Sequence, residues 1–113
     1  MSLDIDLMIT QPVSVWDWNI THNLGKMASA VTLEEDLTLY DVLWRPDENG
    51  IVTASEILPY LEKGLEILNS SPMEYKKYNP ENGWGTYDGL VRFVIEYRNA
   101  CIINPEGVIR ASR

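Results

Sequence analysis

The chain has 113 residues, 45% of them hydrophobic, which suits one domain spanning 1–113 with a core large enough to stand without staples. Seventeen acids against nine bases leave a net charge of -8, which opposes direct nucleic-acid binding because that needs a basic surface to displace counterions. The single cysteine, Cys101, excludes an intramolecular disulfide and a cysteine-built zinc cluster, and fits a reducing compartment.

In chain order, Leu3, Ile5, Leu7 and Ile9 alternate with Asp4, Asp6 and Met8, the period of a strand with one buried face. Gln11 and Pro12 break it. A second strand, VSVWDW from Val13 to Trp18, follows and is expected to pair as a hairpin. Val13 and Val15 point to one side and Trp16 and Trp18 to the other, so either both faces are covered or a bulge shifts the register. Asn19 or Thr21 can cap a short helix over 22–30.

Thr32 and Glu35 have capping-box spacing, which predicts a further helix through Leu37, Leu39, Tyr40, Val42 and Leu43, ended by Pro46. A second box, Thr53 with Glu56, opens the strongest helix, through Leu58, Leu61, Leu65 and Leu68. Pro59 removes a backbone donor near that start, so the first turn is distorted or the cap is Ser55. A short helical turn over 72–77 precedes the loop NPENGWG, 79–85. The last helix runs from about Thr86 and buries Leu90, Val91, Val94, Tyr97 and Cys101; Pro105 and Gly107 then turn the chain into VIRAS, a strand beside the hairpin. The expected fold is therefore α+β, a helix-rich single domain whose N-terminal hairpin and C-terminal strand form a small antiparallel sheet packed against helices.

Few segments carry chemistry. DENGIVTASEIL, 47–58, aligns with the later part of an EF-hand loop, with Gly50 at the sharp turn and Glu56 at the final ligand position. Arg45 falls at the first ligand position, where a guanidinium repels calcium, so the segment reads as a glycine turn feeding a capped helix, and no metal or cofactor is expected. His22 lies among Asn19, Thr21 and Asn23, a polar cluster suited to a ligand, to a capping role, or to a general base. Asn19-Ile20-Thr21 matches a glycosylation sequon, an accidental match in a cytoplasmic chain.

Four tryptophans are many for this length. Trp44, followed by Arg45 in WRP, and Trp84, between Asn82 and Tyr87 in NGWGTY, sit beside turn residues, where an indole can close the core, stack on a flat ligand or anchor an interface. Cys101 lies on the apolar face of its helix and reads as a buried, inert thiol. The acids Glu34, Glu35, Asp47 and Glu48 serve helix starts, turns and solubility. The acidic excess is concentrated in residues 1–50, where nine acids meet only Lys26 and Arg45. It reads as a solvated face or as a mimic of DNA phosphates toward a basic partner.

Together WNITHNLGKMA, LWRP, LEKGLEIL and NPENGWGTYDGLVRFVIEY resemble a family of small uncharacterised phage and prophage proteins, over most of the chain from Trp18 onward. The segment 32–39 is longer than that family's usual link. The resemblance implies kinship with phage proteins and supplies no catalytic residue. The expected function is a non-enzymatic binding module in the cytoplasm, taking a protein or a small polar ligand at Asn19, Thr21, His22, Asn23, Trp44, Arg45, Asn82, Trp84 and Tyr87, with no membrane or direct nucleic-acid partner and with homodimerisation open. The alternatives are an acidic antagonist of a basic nucleic-acid-binding host-defence enzyme and a small enzyme using His22 as base.

Overall fold

The alternating residues at the start form β1 (Ser2–Met8), with Leu3, Ile5 and Leu7 fully buried on one face and Asp4 exposed on the other. The computed structural model describes residues 2–9 and 14–113. The expected break at Gln11 and Pro12, and the expected facing of Val13 and Val15, lie outside the described residues and side chains. The second strand, β2 (Ser14–Thr21), is antiparallel to β1 and runs three residues beyond its expected end. Its register sets Ile20, Trp18 and Trp16 opposite Leu3, Ile5 and Leu7, so both indoles join the apolar face; Asp17 and Asn19 oppose Asp6 and Asp4 on the outer one. The register shifts between Leu7 and Met8, the irregularity expected of a bulge. On the other side of β1 lies β5 (Val108–Ser112), also antiparallel, in the order β2-β1-β5.

Helices cover the apolar face, and the fold is α+β as expected. The two long ones are α3 (Ala54–Ser70) and α5 (Tyr87–Ile103), which pack on each other. From α3 come Ile57, Leu61, Leu65 and Leu68, and from α5 Leu90, Phe93, Val94, Tyr97 and Cys101, into one core with the sheet. Val91, expected in that core, is half-buried. The cap of α3 is Thr53 and not Ser55: Glu56 Oε1 accepts from the Thr53 and Val52 amides at 2.9 and 3.0 Å. The next amides, of Ala54 and Ser55, donate to Gly107 O and Pro105 O at 2.8 and 3.0 Å, so the first turn is bonded to the chain leading into β5. Pro59 sits inside α3 on an exposed flank and does not end it. The short α4 (Pro72–Lys76) follows at once. No helix among the described residues is long and apolar enough to cross a membrane.

The helix expected from Thr32 is not there. Instead, α1 (Gly25–Ser29) is followed by β3 (Thr32–Glu34) and β4 (Leu37–Thr38), a small antiparallel pair, and only then by α2 (Leu39–Trp44). The box that forms is Thr38 with Asp41, whose Oδ2 accepts from Thr38 N at 2.8 Å while Thr38 Oγ1 accepts from Asp41 N at 3.3 Å. Two boxes of equal spacing compete within ten residues, and tertiary packing decides between them. Leu33 is buried between exposed Thr32 and Glu34, a period of two that suits a strand.

Thr38→Ala is expected to lower unfolding stability by about 1 kcal/mol in urea titrations, whereas Thr32→Ala changes it by under about 0.5 kcal/mol.

Candidate functional site

Thr21 closes β2 and starts the next element. Its Oγ1 accepts from Asn23 N at 3.3 Å, capping a single 3-10 turn, His22–Leu24, that leads into α1. Leu24, 1% exposed, pins this turn to the core while Asn19 and Asn23 remain exposed.

Far along the chain, the loop 79–85 is shaped by its own amides. Asn82 Oδ1 accepts from Trp84 N at 2.9 Å, and Asn79 Oδ1 accepts from Tyr87 N at 2.8 Å. Thr86 Oγ1 then caps α5, accepting from Gly89 N at 3.0 Å. Gly83 and Gly85 have φ of 77° and 105°, values that favour glycine. At Gly85 there is a second constraint: a Cβ would lie 2.8 Å from Thr21 Cγ2 and 2.9 Å from Leu24 Cγ. The loop backbone is pressed against the turn that follows β2.

This contact creates a groove of about 660 Å³ lined by Ser2, Asn19, Thr21, His22, Asn23 and Trp84. Trp84 is 70% exposed, whereas Trp44, Tyr87, Phe93 and Tyr97 are buried. The lining carries hydroxyls, amides, an imidazole and an indole, with no carboxylate, ammonium or guanidinium among its side chains. Such a surface can hydrogen-bond an uncharged polar group and stack a flat or aliphatic one.

The remaining candidate residues stand behind or away from the groove. Trp44, 2% exposed, tilts at 59° against His22 with ring centroids 6.2 Å apart and stacks on the ring of Tyr40. Arg45 Nη1 lies 2.6 Å from Glu48 Oε2, and Arg45 does not line the groove. Tyr87 is a core residue whose hydroxyl donates to Leu68 O at 2.5 Å; burial raises its ionisation above the usual phenol range. Asn82 acts through the Trp84 amide. Ser2, which the sequence did not single out, enters through the hairpin register, opposite Thr21.

His22 is only part-exposed, and its Nε2 is buried without a hydrogen-bond partner among the described residues. That nitrogen is turned away from solvent, so it is not presented to a substrate in the groove. Cys101 is buried, and burial pushes its thiol up to about 12, far from a reactive thiolate. In the calcium-like segment Gly50 has φ 71°, as the sharp turn requires, but the Glu56 carboxylate is committed to the Thr53 and Val52 amides, which hold it below the usual range. Asp47 pairs with Arg113 at 2.8 Å, and no cluster of three metal-ligating side chains occurs among the described residues. No protein-family model, no curated protein and no solved structure matches the chain.

Gly85→Ala is expected to cost about 2–4 kcal/mol, from left-handed strain together with the clash on Thr21 and Leu24. Gly83→Ala, whose Cβ meets nothing within 4 Å, bears only the strain, about 1–2 kcal/mol. Denaturant titration of the two variants separates packing from backbone conformation.

Proposed function

We propose that this chain is a non-enzymatic binding module of the phage and prophage type, acting in the cytoplasm, and that the groove beside Trp84 receives a protein partner or a small polar ligand. One observation carries this reading: two segments some sixty residues apart, THN and NGWG, meet in one groove and leave a large indole at its rim. An exposed tryptophan beside amides and hydroxyls has the makeup of an interface anchor, apolar in body and polar at its edge. Burial of His22 Nε2 withdraws that nitrogen from a molecule bound in the groove, since a general base must reach the proton it takes.

The reading as an acidic antagonist draws on a separate surface. Asp4 and Asp17 stand on the outer sheet face without an ion-pair partner among the described residues. It calls for a basic partner.

A photo-crosslinking residue placed at Asn23 is expected to capture a partner that the same residue placed at Lys63 on α3 does not. Trp84→Ala should reduce that capture at least about tenfold while leaving the circular dichroism spectrum unchanged. Equal capture by the folded Trp84→Ala variant contradicts the groove reading.

A further inference from the structure

The two edges of the three-stranded sheet are finished differently. On the β5 side the chain covers its own edge: Ile109 N donates to Val52 O at 2.9 Å, and Thr53 bridges Val108. On the β2 side the sheet simply stops, and no backbone hydrogen bond to another element leaves the far edge of β2 among the described residues. β2 has eight residues, and past the register shift at its start the regular part of this edge runs over 16–21, roughly 20 Å. A bare strand edge is a template for another strand, and proteins that avoid such pairing place proline or lysine there. The sequence SVWDWNIT has neither.

Each face of β2 also carries a group left open. On the apolar face, Trp16 stacks on Tyr97 with centroids 5.2 Å apart, and Trp18 stacks on Trp16 at 6.4 Å. Trp18 is the outer member and remains 36% exposed. On the other face Arg110, Asp6 and Asp17 form one cross-strand row. Arg110 Nη2 reaches Asp6 Oδ2 at 3.0 Å, while Asp17 faces Asp6 directly, like charge against like. Asp17 forms no ion pair among the described residues.

We infer that β2 is a docking edge for an extended segment of a partner protein in which apolar and basic residues alternate. Its backbone pairs with β2, its apolar residues cover Trp18, and a lysine or arginine sits opposite Asp17 and completes the row of charges. The mode is strand addition, in which the backbone supplies affinity and alternate side chains supply specificity. A second copy of this chain is the poorer occupant. β2 has no lysine or arginine, so no β2-to-β2 register places a cation opposite Asp17, and each copy brings a charge of -8. This surface meets the groove at Asn19 and Thr21, but the residues that carry the inference, Trp16, Asp17 and Trp18, are not among the groove's lining.

The test uses the full chain and a fluorescein-labelled nonapeptide of alternating valine and lysine, read by anisotropy. Two further peptides carry N-methyl groups on the odd or on the even residues, and a fourth has glutamate for lysine. Saturable binding of the parent is expected. One N-methyl isomer should bind as the parent does and the other at least about tenfold more weakly, because alternate amides of an added strand face β2. The glutamate peptide should fail to bind, Asp17→Asn should weaken the parent several-fold, and Trp84→Ala should leave it unchanged. Absence of saturable binding, equal binding of both N-methyl isomers, or binding of the glutamate peptide overturns the inference. So does a dimer in sedimentation that the peptide cannot dissociate. Loss of parent binding in Trp84→Ala would move the peptide to the groove and also overturn it.

Discussion

The absence of a side chain at residue 85 ties the two ends of this fold together. Thr21 and Leu24 come within van der Waals contact of the loop backbone only because Gly85 offers no Cβ. Leu24 is buried, Thr21 ends β2, and Thr86 immediately begins α5, so the hairpin, the 3-10 turn and the last helix are registered at one point. The same contact raises Trp84 beside Asn19 and Asn23. The groove is thus a by-product of how α5 is anchored to the sheet.

Among the described residues, two buried side-chain polar atoms have no hydrogen-bond partner. They are Tyr97 Oη and His22 Nε2, and their rings pack on other aromatic rings: Tyr97 on Trp16 and Phe93, His22 on Trp44. An unpaired buried polar group costs about 1–3 kcal/mol. Burial also raises the Tyr97 phenol well above its usual range, so it stays neutral. The Tyr97 ring supports the Trp16 and Trp18 stack on the open strand, and the His22 ring fills the space between Trp44 and the groove. Apolar and aromatic contact holds both rings where hydrogen bonding does not, as befits residues placed by packing at the margins of surfaces that face outward.

Much of the fold is readable from local pattern. Strict alternation identifies β1, the Thr53 box and Thr86 mark the starts of the two long helices, and Pro105 with Gly107 signals the return to a strand. These signals involve residues within a few positions of one another, where a backbone amide meets its acceptor irrespective of distant packing. The Thr32 box failed because Thr38 and Asp41 offered a rival start and Leu33 was needed in the core with both its neighbours exposed. Among the candidate site residues, Asn19, Thr21, His22, Asn23 and Trp84 came together, while Trp44, Arg45 and Tyr87 proved to be support, surface ion pairing and core. No local pattern tells an indole on the rim from one in the core. Ser2 and the unfinished edge of β2 were invisible for a related reason, since both depend on strand order.

The distance between the 79–85 loop and the end of β2 tests the account most directly. In an isotope-labelled sample, nuclear Overhauser effects from the Gly85 α-protons to the Thr21 γ-methyl and Leu24 δ-methyl groups report it without any partner or ligand. Strong cross-peaks to both residues are expected. Their absence, in a sample where contacts between Trp16 and Tyr97 are present, would contradict a loop seated on that turn and, with it, the groove.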